Sequence, residues 1–139
     1  LHNAEEISTS NVHNSRLSIR LGAKVMDLKD ARMRELVCYL GKDPDKMTSS
    51  AREDLCLEAS KNQTKKLTDF FDEALSEKIN NMIMVRQLYN KRIIQRRGPE
   101  FAYANIEMGK SLEAVANFLF KPEQSSLLQR VVTELKQKS

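Results

Sequence analysis

Few residues in this sequence have the types and spacing that enzyme or metal chemistry requires. Both histidines, His2 and His13, lie in a polar stretch without hydrophobic periodicity, and neither has Cys, Asp or Glu at metal-ligand spacing. A general base must be held in place by packing, which such a stretch does not provide. The sequence contains no glycine-rich phosphate loop, no Ser-His-Asp set and no paired-histidine motif. We therefore predict a non-enzymatic protein with no catalytic residue, no metal and no cofactor.

The two cysteines, Cys38 and Cys56, fall on consecutive predicted helices joined by a tight turn. Free cysteines inside a protein behave as small hydrophobic residues, and this is the interpretation we favour. The alternative is a structural disulfide in a secreted protein. In that case Asn62-Gln63-Thr64 would be a candidate glycosylation site.

A group of basic residues lies in the second half of a predicted long helix. Acidic residues precede it, and this order suits the helix macrodipole, which favours acids near the start and bases near the end. The same residues could instead follow a phosphate backbone, together with Lys110 and the basic C-terminus. No RGG repeat or aromatic-glycine stacking motif accompanies them. The candidate nucleic-acid-binding residues are Arg86, Lys91, Arg92, Arg96 and Arg97.

Several apolar residues lie off the main hydrophobic stripes of their predicted helices. They would either contact additional neighbours inside a helical bundle or form an exposed patch that binds a partner. These off-stripe residues are Ile83, Met84, Ile94, Tyr103, Ile106 and Phe118. Together with part of the basic group, they supply the candidate partner-binding residues: Met84, Arg86, Tyr89, Arg92, Arg96, Arg97, Tyr103, Ile106 and Phe118.

The composition predicts how these residues are positioned. The chain has 139 residues, 40% of them hydrophobic and 30% charged, with four Gly and three Pro and a formal net charge of +4. This favours a soluble, mostly helical protein of one domain. We expect a flexible N-terminal arm over residues 1–14 and a single helical domain over residues 15–139. No apolar run approaches the roughly 20 residues that a membrane span needs.

The domain is expected to surround one long helix over residues 65–97. Its middle, Asn80-Asn81-Met82-Ile83-Met84-Val85, has four consecutive apolar residues, which point all the way round a helix axis. Such a midpoint needs neighbours on several sides. At 1.5 Å per residue this helix would span roughly 50 Å, so its basic end would project beyond its partners. Gly98-Pro99 would end it.

Shorter helices are predicted on either side. Leu17, Leu21 and Val25 lie on one helical face, and Gly41 would end the following helix. Ser50-Ala51-Arg52-Glu53 has the spacing of a capping box, and a break is expected at residues 62–64. Apolar residues recur every three or four positions from 101 to 119, with Gly109 beside them to allow a close helix approach. A last helix carries Leu127 to Leu135.

The short predicted loops favour antiparallel neighbours, and hence an all-α, up-and-down bundle of five to six helices. For such a module we expect a protein–protein interaction or self-association function, with another protein or a second copy of the chain as partner and no small-molecule substrate. The alternative is a helical domain that binds nucleic acid through the basic group. A third hypothesis is a secreted helical effector. Two cysteines favour an intracellular location, cytoplasmic or nuclear, and secretion remains the alternative.

Overall fold

A computed structural model describes the backbone of residues 4–138 and the side chains of residues 15–138. It is mostly helical, with 72% helix when its seven α-helices and three short 3-10 helices are taken together, and so confirms the helical prediction. It also contains a three-stranded antiparallel sheet, which the sequence did not lead us to expect. The chain divides into two compact units, Leu1–Ser76 and Glu77–Ser139, which are described separately below. The predicted division into an arm and one domain stays a prediction.

Unit 1 contains four α-helices. These are α1 (Ala4–Met26), α2 (Asp30–Tyr39), α3 (Ser49–Asn62) and α4 (Thr64–Phe70), with short 3-10 turns at Pro44–Lys46 and Glu73–Leu75. Helix α1 packs mainly on α3. The predicted stripe on α1 is correct, because Leu21 and Val25 are buried. Residues 4–14, assigned to a flexible arm, continue this helix in the structure, whereas residues 1–3 lie outside the described part of the chain.

Local signals in unit 1 correspond closely to the helix ends. Helix α2 ends before Gly41, whose φ of +91° is the left-handed conformation that glycine tolerates best. The predicted break is confirmed between Asn62 and Thr64. The predicted capping box is displaced: the N-cap of α3 is Thr48, whose Oγ1 accepts a hydrogen bond from the backbone N–H of Ala51 at 3.1 Å.

Unit 2 contains three α-helices and the sheet. These are α5 (Ser76–Asn90), β1 (Gln95–Arg97), β2 (Glu100–Tyr103), β3 (Ile106–Gly109), α6 (Leu112–Leu119) and α7 (Ser125–Lys138), with a 3-10 turn at Pro122–Gln124. The strands form a simple antiparallel meander in the order β1-β2-β3. Side chains from the three helices and the sheet share one core, whose most buried members are Val85, Leu88, Ile94, Val115, Leu119 and Val131.

The predicted single helix over residues 65–97 is wrong. Helix α4 ends at Phe70, and Asp72 then accepts a hydrogen bond from the backbone N–H of Ala74 at 2.9 Å, which caps a 3-10 turn. Short acidic side chains compete in this way with helical hydrogen bonding. Helix α5 ends at Asn90, and residues 95–97 form a strand. The up-and-down arrangement around a long helix loses its central element, and the arrangement of the helices stays a prediction.

The predicted helix over residues 101–119 is correct only in its second half, α6. Its first half forms β2 and β3, because one two-residue loop precedes β2 at residues 98–99 and a second interrupts the segment at residues 104–105. Gly98 begins the first loop with φ +58°, and Pro99 follows; this is the sequence pattern of a type II′ hairpin turn. Ala104 begins the second loop with φ +51°, a value that no α-helix contains.

Candidate functional site

The C-terminal end of α5 has a hydrogen-bond pattern that usually depends on glycine. The N–H of Ile93 donates to the carbonyl of Leu88 at 2.9 Å, and the N–H of Arg92 donates to the carbonyl of Tyr89 at 3.0 Å. This pair of bonds defines a Schellman motif, in which the residue after the cap adopts a left-handed conformation. Here that residue is Arg92, with φ +61°. Ile93 and Leu88 are both buried in the unit 2 core, as the motif requires.

Helix α2 ends in the same motif with glycine in the equivalent position. The N–H of Lys42 donates to the carbonyl of Val37 at 3.1 Å, and that of Gly41 donates to the carbonyl of Cys38 at 2.9 Å. A left-handed conformation costs a non-glycine residue roughly 1–2 kcal/mol. The chain therefore carries an arginine where glycine would fit at lower cost, and Arg92 is exposed to solvent.

Two further arginines lie on strand β1 at the edge of the sheet. Arg96 pairs with Phe101 and Arg97 pairs with Glu100 across the antiparallel ladder. All three side chains of β1 are exposed. We use the name basic hairpin for residues 91–103, which comprise the end of α5 and the β1–β2 hairpin. Three exposed arginines, Arg92, Arg96 and Arg97, lie within six positions of it.

Aromatic rings support two of the guanidinium groups. The guanidinium carbon of Arg96 lies 5.4 Å from the centroid of the buried Phe101 ring, and its Nε donates to the carbonyl of Gly98 at 3.4 Å. The Phe101 ring meets Tyr89 edge to face, with centroids 5.5 Å apart. Arg86 lies 5.3 Å from the centroid of Tyr89. Cation–π contacts of this kind orient an arginine without neutralising its charge.

The remaining basic candidates are less exposed. Lys91 is half-buried, and its carbonyl accepts a hydrogen bond from Nζ of Lys138 at 3.1 Å, which ties the end of α7 to the end of α5. Arg86 is also half-buried, whereas Lys110 is exposed just beyond β3. The structure therefore brings Arg92, Arg96 and Arg97 to the surface of one hairpin and leaves Arg86 and Lys91 at its base.

Two carboxyl groups lie on the same sheet. Hydrogen bonding to Glu107 raises the pKa of Glu100 above its ordinary value, and desolvation and the charge of Glu107 act in the same direction. Lys110 opposes this shift. Glu100 is also the cross-strand neighbour of Arg97, so this pair is part of the electrostatic environment of the basic hairpin.

The predicted apolar patch does not form on the surface. Tyr103 is only 8% exposed, and burial, followed by its hydrogen bond to Glu134, raises its pKa. Ile106 and Phe118 pack against the unit 2 core, and Met84 is half-buried. Ile83 and Ile94 are buried. Ile94, Tyr103, Ile106 and Phe118 therefore contribute to the core of unit 2, as the helical-bundle alternative proposed for them.

The exposed large hydrophobic side chains lie elsewhere, on α1. Among residues 15–138 they are Ile19, 72% exposed, and Met26, 57% exposed. They are seven positions apart and therefore share one helical face, opposite the buried Leu21 and Val25. Sequence reasoning missed this second face because it followed only the stronger stripe. The seven-residue spacing was the signal that could have identified it.

Positive charge is concentrated in one unit. Unit 2 has eleven Lys or Arg against six Asp or Glu, a net charge of +5. Unit 1 has twelve against thirteen, a net charge of −1. Unit 2, which carries the basic hairpin, is therefore more basic than the chain as a whole.

Other kinds of site find no support in the residues that the structure describes. Within them no group of three His, Cys, Asp or Glu side chains is placed to hold a metal ion, and no helix is long and apolar enough to cross a membrane. Cys38 and Cys56 are buried thiols that form no disulfide, which confirms the interpretation as small interior residues. Burial raises the pKa of Cys56 to about 11, so its thiol is a poor nucleophile near neutral pH.

Comparison with models of protein families, with curated proteins and with solved structures finds no match to this chain.

Proposed function

We propose that this chain is a non-enzymatic binding module that contacts nucleic acid through the basic hairpin. The observation that carries the proposal is the position of Arg92. It is an exposed cation held in a left-handed conformation that glycine would adopt at lower cost, three residues from a strand that exposes two more arginines. Strain that persists at an exposed position is a reason to suspect a functional side chain.

Structural explanations of the basic group account for it only in part. Helix α5, all of which is described, has no basic residue in its last turn. Arg96 and Arg97 lie on a strand well past its end, beyond the first turn within which a helix dipole acts. Charges on an edge strand deter unwanted strand pairing, which would account for Arg96 and Arg97. The macrodipole does favour a cation directly after α5, but Lys91 at the C-cap already supplies one, so neither effect requires an arginine in the left-handed position 92.

The chemistry of the hairpin suits phosphate. An arginine presents a planar fork of N–H donors that matches two phosphate oxygens, and it remains charged at all physiological pH values. The ring of Phe101 holds Arg96 over the sheet, and β1 lies at the sheet edge, so a phosphate backbone could approach from solvent. Contacts of this type supply affinity without reading bases.

The test is a titration of the full chain with labelled oligonucleotides at about 50 mM salt, where phosphate contacts are strongest. We expect binding, and we expect it to weaken in Arg92→Gly while the fold is retained. A matched control is Arg16→Gln/Arg20→Gln, which removes two exposed charges from unit 1. No binding by the wild type at low salt would refute the proposal, and so would equal losses in the control.

A second candidate function is self-association or protein binding through α1. It is favoured by Ile19 and Met26, whose exposed side chains face away from the buried stripe of the same helix. Exposed apolar residues that share a face often mark a protein partner. The residues first expected at such an interface, Tyr103, Ile106 and Phe118, lie inside unit 2 or against its core and support this function less.

Light scattering over a range of protein concentrations tests the self-association form of this candidate. We expect a rise in average mass with concentration, abolished by Ile19→Ser/Met26→Ser. Because both side chains are exposed, these changes should leave the melting temperature nearly unchanged. A monomer at every concentration would contradict self-association.

A further inference from the structure

The kind of nucleic acid that fits the basic hairpin can be narrowed from the aromatic side chains. Proteins that bind single strands usually stack exposed aromatic rings on the bases. This chain has three Tyr and five Phe, all within the described residues; three of the eight are buried and five are half-buried. The rings nearest the arginines are already engaged: Tyr89 and Phe101 contact each other, and Phe101 is 7% exposed. The hairpin therefore offers charge without a stacking surface.

The placement of the arginines adds a geometric argument. Arg96 and Arg97 are consecutive on an extended strand, so their side chains leave opposite faces of the β1–β2 ribbon. Arg92 lies before the strand, at the end of α5. A single strand offers one line of phosphates to one face. A duplex groove offers phosphates on two walls. Because β2 also pairs with β3 and its Phe101 is buried, β1 would meet these phosphates as the exposed edge of a three-stranded sheet, at the rim of the groove.

We infer that the basic hairpin binds the phosphate backbones of a nucleic-acid duplex, without sequence preference and in preference to single strands. This inference rests on the proposed function and names the form of nucleic acid for the same site. The B-form DNA duplex is the better fit, because the two walls of its roughly 12 Å major groove are both accessible from solvent, whereas the major groove of an RNA duplex is deep and narrow. The number of phosphate contacts is three, one for each exposed arginine of the hairpin.

That number fixes the salt dependence. For B-form DNA the logarithm of the binding constant falls with the logarithm of salt concentration with a slope of about −0.9 per contact, so about −2.7 for three. Affinity should then fall about 40-fold between 50 and 200 mM salt. Arg97→Gln should reduce the slope to about −1.8 and the loss to about 12-fold.

The experiment measures fluorescence anisotropy of the full chain with two unrelated 20-base-pair DNA duplexes, an RNA duplex and a 20-nucleotide single strand. We expect the two DNA duplexes to bind within about twofold of each other, and the single strand to bind at least about fivefold more weakly, because its charge density is lower. Arg92→Gly and Arg97→Gln should each lower the duplex slope by about 0.9, and Arg16→Gln should leave it unchanged.

The outcomes separate the inference from the function on which it rests. Equal or tighter binding of the single strand, a tenfold preference for one DNA sequence, or tighter binding of the RNA duplex than the DNA duplexes would overturn the inference while nucleic-acid binding itself stood. No binding to any of the four at 50 mM salt would overturn both. Circular dichroism and thermal melting of each variant show whether a lost contact reflects a lost fold.

Discussion

Replacing Arg92 with glycine should stabilise the protein and weaken its binding at the same time. The Schellman motif at the end of α5 places Arg92 at φ +61°, whereas the equivalent motif at the end of α2 has Gly41 at φ +91°. Glycine at position 92 would keep both hydrogen bonds of the motif and release the strain. A residue retained only for stability would not show opposite effects on folding and binding.

The size of the stabilisation follows from two opposing terms. The left-handed conformation costs a non-glycine residue about 1–2 kcal/mol. Glycine adds roughly 0.4–1 kcal/mol of conformational entropy to the unfolded chain. The midpoints of these two ranges, about 1.5 and about 0.7 kcal/mol, give a net stabilisation by Arg92→Gly of about 0.8 kcal/mol. For a chain of this size such a gain corresponds to a rise in melting temperature of about 2–4 °C.

Urea denaturation followed by circular dichroism measures this change in the free energy of unfolding. Two control variants are measured beside Arg92→Gly. The first, Gly41→Ala, puts a side chain at the equivalent position of α2 and should lower the free energy of unfolding by about 1 kcal/mol. Arg97→Gln removes the same charge from an extended residue and should change stability by less than about 0.5 kcal/mol. A lower stability for Arg92→Gly, or an equal gain from Arg97→Gln, would refute the argument from strain.

Three further predictions concern the stability of the folded protein. Arg52→Leu should destabilise by about 2–4 kcal/mol in urea denaturation, because this buried guanidinium donates to the carbonyls of Met47 at 2.6 Å and Pro44 at 3.1 Å, each of which would lose a hydrogen bond. Gly109→Ala should cost about 3 kcal/mol in the same assay: its φ is +142°, and a Cβ there would lie 2.7 Å from a helix side chain. Glu100→Gln should flatten the pH dependence of melting temperature. Because the pKa of Glu100 is higher in the folded protein than in the unfolded chain, the wild type loses stability as the pH rises from the ordinary pKa of glutamate to the raised pKa.

Each of these has an outcome that would contradict it. For Arg52, a loss below about 1 kcal/mol would mean that water replaces the guanidinium. For Gly109, the comparison is Gly98→Ala. Gly98 has φ +58°, and no atom lies within 4 Å of the position a Cβ would take there. This substitution should therefore cost only about 1 kcal/mol of backbone strain. Equal losses at the two glycines would contradict the steric argument. For Glu100, an unchanged pH profile would show that the carboxyl pair does not affect folding.

Sequence patterns predicted the helices of unit 1 well because their end signals are local. Gly41 follows the end of α2, Gln63 within the polar triplet separates α3 from α4, and Leu21 and Val25 mark the buried face of α1. In each case the chemistry that sets the element lies within one or two turns of it. The cap of α3 was misplaced by two residues, at Ser50 in place of Thr48, because both carry a hydroxyl near the start.

The sheet could not be predicted from the same patterns. Phe101, Met108 and Val115 lie at helical spacing, but they reach the core of unit 2 from a strand, another strand and a helix. Hydrogen bonding between neighbouring strands decides that this segment forms a sheet and not a helix, and the spacing of apolar residues does not show which strands pair. The dipeptide Gly98-Pro99 was interpreted as a helix boundary, and it is a hairpin loop. A turn-based interpretation of that dipeptide would have found the hairpin.

The candidate site was predicted in part. The sequence predicts Arg92, Arg96 and Arg97 to be exposed at the end of a projecting helix, whereas the structure exposes them on the basic hairpin. Their charge was visible in the sequence, whereas the left-handed conformation of Arg92 depends on Ile93 and Leu88 closing the motif over the core. Residue type alone shows which side chains are basic, but not which of them belongs to a residue with a strained backbone conformation.

The most direct test of the account is a chemical-shift map of the ¹⁵N-labelled full chain during titration with a 20-base-pair DNA duplex at 50 mM salt. We predict that the largest changes in backbone amides and arginine Nε–H signals fall within residues 91–98, with smaller changes in α1. Changes centred on Ile19 and Met26, or no change at this salt concentration, would contradict the assignment of the basic hairpin as the binding site.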